Sequence, residues 1–127
     1  MTANTFQITP FMHVKDLDET VRFFTEVLGF TVPYRQDNYA YVDREGAALR
    51  ILGHEHDDEV GEAHRGFAYY IDVRDLAVVL EQIGDKLAAL PEGHVVGPKD
   101  QAYGQRELMI RVPDGNVLVF GQSIERN

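Results

Sequence analysis

Val14-Lys15-Asp16-Leu17 returns later in the chain as Val73-Arg74-Asp75-Leu76, and this pair of stretches decides the fold. Each follows an apolar run of strand type. Each precedes apolar residues at helical spacing: Leu17, Val21, Phe24 and Leu28 in the first copy, and Leu76, Val79, Leu80, Ile83 and Leu87 in the second. Positions three, four and seven apart share one side of an α-helix, so each copy predicts one amphipathic helix entered at its aspartate. Asp16 and Glu19 have capping-box spacing, Gly29 supplies a C-terminal stop, and Pro91 with Gly93 marks the way out of the second helix.

Short β-type runs follow each helix. Phe30 to Arg35 pairs with Tyr39 to Val42 across the polar turn Gln36-Asp37-Asn38. Gly46-Ala47-Ala48-Leu49-Arg50-Ile51 matches Gly115-Asn116-Val117-Leu118-Val119-Phe120, each run opening at a turn glycine, and Pro113-Asp114-Gly115-Asn116 is a strong turn signal. Each copy reads β-α-β-β-β. The expected architecture is α+β: one domain over 1–127, with a first module at 5–53, a second at 66–122, and a polar, acidic, exposed connection at 54–65.

Composition narrows the function. A chain of 127 residues with 44% hydrophobic residues spread along its length can bury one continuous core. No run approaches the roughly 18 apolar residues of a membrane span, and the N-terminus lacks the basic-then-apolar order of a secretory leader, so a cytoplasmic protein without a membrane partner is expected. The absence of cysteine excludes disulfides, thiolate metal sites and cysteine nucleophiles. With 12 basic against 21 acidic residues, the net charge of -9 repels a phosphate backbone, which argues against nucleic acid and suits either plain solubility or a cationic small molecule.

Val14-Lys15-Asp16-Leu17 followed by Phe23-Phe24 and Leu28-Gly29-Phe30, then Tyr103-Gly104-Gln105-Arg106-Glu107 and Pro113-Asp114-Gly115-Asn116, come in an order and spacing that resembles the vicinal oxygen chelate superfamily. That superfamily includes glyoxalase, extradiol dioxygenases, and fosfomycin and bleomycin resistance proteins. The resemblance covers nearly the whole chain and implies two tandem βαβββ modules whose mixed sheets curve into a cup, usually completed by homodimerisation.

The resemblance also fixes where a metal would be held. Metal enzymes of the superfamily typically carry a histidine seven residues before the aspartate that starts each helix, which falls here on Thr9 and Ala68, and a ligand four residues after the turn glycine, which falls on Arg50 and Val119. Neither Thr9 nor Ala68 is histidine, and neither Arg50 nor Val119 can bind a metal as a carboxylate would, since arginine offers only donors and valine offers nothing. No family metal, no other cofactor and no catalytic residue are expected. His54, His56 and His64 lie among Glu55, Asp57, Asp58, Glu59 and Glu62, a composition that either picks up zinc or nickel or forms a solvated charge run; the second reading is preferred because nothing there fixes a geometry.

Strand alternation puts Thr9, Phe11 and His13 on one face, and Ala68, Tyr70 and Asp72 on the matching face of the second module. If that face lines the cup, Arg50 joins them. His13 and Asp72 are repeat-equivalent and form either an oriented general base or a buried link, and Arg50 either clamps an anionic group or neutralises Asp72. Within the superfamily the layout looks most like the bleomycin resistance proteins, where aromatic rings sandwich the drug. Matched by motif, those rings are Tyr39 and Tyr103, although Tyr103 stands where tryptophan is usual and Val112 where aspartate usually precedes the turn proline.

The expected function is therefore sequestration, without chemical change, of an aromatic, cationic antibiotic such as bleomycin, with Tyr39, Tyr103, His13, Phe11, Arg50, Tyr70 and Asp72 as ligand-binding residues. The rival readings are an enzyme of the same superfamily, of lyase, isomerase or dioxygenase type with noncanonical or absent metal, and a sensor or partner-binding domain.

Overall fold

The computed structural model describes residues 3–54 and 66–124. His56, His64 and the acidic run between the modules lie outside the described residues. Among the described residues the chain runs β1 (Phe11–Val14), α1 (Leu17–Glu26), β2 (Thr31–Gln36), β3 (Tyr39–Arg44), β4 (Ala47–Gly53), β5 (Ala68–Asp72), α2 (Leu76–Ala88), β6 (Val95–Asp100), β7 (Gln105–Arg111) and β8 (Val117–Ser123), with a short 3₁₀ turn at Pro113–Gly115 before β8. This is the βαβββ unit twice over. The strands form two four-stranded sheets, ordered β1-β4-β3-β2 and β5-β8-β7-β6. In each, the first and last strands of the module pair parallel and the others pair antiparallel.

Local chemistry accounts for the elements. Asp16 is extended and its carboxylate accepts the Glu19 amide at 3.0 Å, and Asp75 accepts the Ala77 amide at 3.0 Å, so each aspartate satisfies an otherwise orphaned N–H at its helix start. Gly29, at φ +75, turns the chain out of α1 in the left-handed region that glycine enters without strain. The two-residue turn Asp37-Asn38 joins β2 to β3 and registers Tyr34 opposite Tyr41 and Gln36 opposite Tyr39.

The helices bury Leu17, Val21 and Phe24, and Leu76, Val79, Ile83 and Leu87, against one face of the sheets. That face supplies Met12, Val14, Ile51, Leu108, Leu118 and Phe120, and residues of both modules join one core cluster. Phe24 and Phe30 meet edge to face at 5.0 Å. The modules are also stitched by polar contacts. Asn116, fully buried, accepts the Gly66 and Phe67 amides at 3.1 Å each and donates to the His13 carbonyl at 3.2 Å. The Asp114 carboxylate accepts the Lys15 amide at 2.8 Å, and Tyr69 donates its hydroxyl to the Phe11 carbonyl at 2.7 Å. Arg44 lies over the Phe120 ring at 5.6 Å while its Nε donates to the Leu28 carbonyl. The turn read in the sequence at Pro113 to Asn116 thus also joins the second module to the first. Among the described residues no helix is long and apolar enough to cross a membrane.

Candidate functional site

Because the helices cover only one face of each sheet, alternate residues of every strand project from the opposite, outer face. In β1, Met12 and Val14 are fully buried while Phe11 is 50% exposed and His13 is partly exposed. Parallel pairing sets Phe11 beside Arg50 and His13 beside Leu52, and antiparallel pairing carries the face on to Tyr41 and Tyr39. The same alternation in the second module brings Tyr70 beside Val119, Asp72 beside Gly121 and Glu107 on the far side of Gly121.

On the first face, the Arg50 guanidinium donates to the Tyr39 hydroxyl at 2.6 Å and lies over the Tyr41 ring at 5.2 Å. Tyr34 meets Tyr39 edge to face at 5.9 Å, and Gln7 donates to the Tyr41 hydroxyl. Nδ1 of His13 lies 2.8 Å from Nε2 of His54, their rings stack at 5.0 Å, and Phe11 stacks on His13 at 6.1 Å. At the shared bond one ring nitrogen donates and the other accepts.

On the second face, Tyr103 donates to Oε1 of Glu107 at 2.8 Å and Tyr70 donates to Gln105 at 3.0 Å. The Tyr70 ring lies across Gly121, where a Cβ would overlap both its hydroxyl and its ring. Burial of its hydroxyl, followed by the neighbouring Glu107 carboxylate, pushes the Tyr70 phenol up to about 12. The hydrogen bond to Glu107 raises the Tyr103 phenol above its ordinary value, and burial does the same for Tyr69.

A cavity of about 830 Å³ opens between β1 and β5, lined by Phe11, His13, Ala68, Tyr70 and Asp72. Five residues expected on matching faces of the two modules therefore line one cavity. Tyr39, Arg50 and Tyr103 stand outside its lining, and Thr9 lies just before β1, where its hydroxyl accepts from Gln7. Arg50 engages two tyrosines, and neither Arg50 nor Asp72 has an ion-pair partner among the described residues. Val119, the fourth position where a metal ligand was expected, lies beside Tyr70 on the second face and is buried. Among the described residues no three histidine, aspartate or glutamate side chains group as metal ligands.

Sequence reasoning missed Tyr34, Tyr41, His54, Gln105, Glu107 and Gly121 as parts of the two faces. For Tyr34 and Tyr41 a signal existed, because stepping by two from Tyr39 and across the turn reaches both. For Gly121 the signal was weaker: a glycine inside a strand marks a close approach without saying what approaches.

The family model for the glyoxalase/bleomycin resistance protein/dioxygenase superfamily matches residues 7–120. No curated protein matches the chain. Among solved structures, a bleomycin-binding protein complexed with bleomycin is similar at 25% identity and TM-score 0.75, over 94% of this chain and 99% of that one. A bleomycin resistance determinant encoded on the transposon Tn5 is similar at 25% identity and TM-score 0.76, over 94% and 98%. The bleomycin-binding protein of Streptomyces verticillus complexed with copper(II)-bleomycin shares the fold at 24% identity and TM-score 0.73, over 98% and 100%. With its doubled βαβββ module and a family match over most of its length, the chain belongs to the glyoxalase/bleomycin resistance protein/dioxygenase superfamily.

Proposed function

We propose that the protein is a cytoplasmic, homodimeric binder that sequesters an aromatic, cationic small molecule of the bleomycin type without altering it chemically. The observation that carries this reading is the pair of tyrosine-bearing outer faces: Tyr39 with Arg50 on the first sheet, and Tyr103 and Tyr70 with Glu107 on the second. Aromatic faces stack on flat heterocycles and attract cations, each such contact contributing roughly 0.5–2 kcal/mol. Tyr70 and Tyr103 remain 45% and 67% exposed in the single chain, which leaves their rings free for such contacts. Support for the dimer comes from the same exposure together with Phe6 and Ile8, which are 89% and 90% exposed on the segment before β1, an apolar surface suited to burial against a second copy. The bleomycin-binding protein and the bleomycin resistance determinant, each similar at 25% identity, support the ligand class.

The test is a calorimetric titration with bleomycin, followed by mass spectrometry of the recovered drug. Saturable binding with the drug returned intact is expected. No heat change at drug concentrations up to about a millimolar, a level at which only very weak association escapes detection, would remove the reading.

A metal-free catalyst is the second reading, favoured by the His13–His54 pair at the cavity edge. An oriented imidazole is the usual general base near neutral pH. A mass change in the recovered ligand that disappears in His13→Ala would select it.

A further inference from the structure

We infer that the second outer face holds a cage for a protonated amine, formed by the rings of Tyr70 and Tyr103 around the Glu107 carboxylate. The inference rests on the small-molecule reading above and names the chemical group that the second module takes. Three independent features converge on Glu107. Tyr103 reaches back from the loop before β7 and donates to its Oε1 at 2.8 Å. Tyr70 comes from the other side, crossing β8 at Gly121, and its hydroxyl is held by Gln105, the next outward residue on β7. Glycine inside a strand weakens it, so a glycine whose missing Cβ is filled by a tyrosine ring is a placement device for that ring. The third feature is charge. Neither oxygen of Glu107 has a cationic partner among the described residues, and Lys99, its cross-strand neighbour, forms no ion pair with it. Asp72 adds a second carboxylate on the same face, also without an ion pair among the described residues.

A carboxylate flanked by two phenol rings and lacking a counter-ion is matched by a cation that fits between the rings and brings its own donors. An alkylammonium does this: it is compact, carries three N–H donors, and is attracted by the carboxylate and by the phenol oxygens and electron-rich rings beside it. A guanidinium fits less well, because its planar fork seeks both carboxylate oxygens side by side and Tyr103 already shares Oε1. A divalent cation fits least, since no three acidic or imidazole side chains converge there among the described residues.

The experiment titrates the full chain with phenethylammonium and, separately, with its neutral counterpart phenethyl alcohol, reading tyrosine fluorescence and amide chemical shifts. The wild type is expected to prefer the ammonium by at least about tenfold, the range of a charge-assisted hydrogen bond. Glu107→Gln keeps the shape and a hydrogen-bond acceptor but removes the charge, and should bring the preference below about twofold. Tyr103→Ala, at an exposed loop position, provides a variant with little bearing on folding and should weaken the ammonium by about threefold to tenfold while sparing the alcohol more. Equal binding of the two probes by the wild type, binding of neither, or a preference that survives Glu107→Gln overturns the cage. Bleomycin added to the same samples separates the two readings. Bleomycin bound with no ammonium preference overturns the cage and leaves sequestration standing; ammonium preference with no bleomycin binding upholds the cage and removes bleomycin sequestration.

Discussion

The outer faces of the two sheets descend from one repeated plan and carry opposite charges at their centres. Position by position, Phe11 answers to Tyr70, His13 to Asp72, Arg50 to Val119, Leu52 to Gly121 and Tyr39 to Glu107. On the first sheet a guanidinium is held by tyrosines, and on the second a carboxylate is. The pivot is the pair Leu52 and Gly121. On the first sheet, where the position is leucine, the ring of Phe11 stacks on His13; on the second, where glycine has no Cβ, the ring of Tyr70 lies across the strand and its hydroxyl reaches β7. Inward positions do not diverge in this way, because both modules answer to one core and a change of volume there is felt by all its neighbours. A duplicated unit thus keeps its caps and its buried side, and acquires a different chemistry at the positions that packing does not dictate.

The largest expected effect tests the shared side of that comparison. Phe120 belongs to the second module, is fully buried, and lies under Arg44 of the first. Phe120→Ala should cost about 3–5 kcal/mol. Because the two modules contribute to one core cluster, urea unfolding followed by circular dichroism should remain a single transition with a lower midpoint. Two separated transitions would break the idea that the modules differ only on their outer sides.

What the sequence disclosed follows the same division. The helices were legible because Leu17, Val21, Phe24 and their counterparts repeat with the helical period, and because Asp16 and Asp75 cap in place. Phe11 with His13, and Tyr70 with Asp72, were legible as sharing a face of their own strands because alternation along a strand requires nothing beyond the strand itself. The partners were not legible. The contact of His13 with His54 depends on the parallel register of β1 with β4, and the hold of Arg50 on Tyr39 depends on the register of β3 with β4. Glu107 read as an ordinary member of a Gly-Gln-Arg-Glu motif, since its significance arises only when Tyr70 crosses an intervening strand to reach its neighbourhood. Sequence periodicity reports facing within one element, whereas charge pairing on these faces runs between elements.

A smaller effect probes the pivot directly. Gly121→Ala adds one carbon where the Tyr70 ring already sits, so either the ring leaves or the strand shifts. Overpacking of this kind should cost about 1–3 kcal/mol in a urea titration. The sharper readout is positional: amide shifts should change at Tyr70, Gln105 and Glu107 and stay near wild type around Phe11 and Arg50. Equal disturbance of both faces would mean that Gly121 supports the sheet in general and does not place one ring.

The smallest effect is a pH dependence confined to the second face. The Tyr70 phenol is pushed up to about 12 by burial of its hydroxyl and by the carboxylates of Glu107 and Asp72, against an ordinary value of 10.0. Since the folded state holds this proton more tightly than the unfolded chain, the associated stability is fully present below pH 10.0 and is lost as pH rises through about 12. The contribution is modest because the ring is 45% exposed and solvent screens the carboxylates. Alkaline titration of the phenolate absorbance in the native chain should therefore show a late component that vanishes in Tyr70→Phe and moves to lower pH in Glu107→Gln. An unmoved late component in Glu107→Gln would detach Tyr70 from the carboxylate and reduce the contrast between the faces to burial alone. A downward shift would establish that the two groups sense each other across β8, which the opposed chemistry of the faces requires.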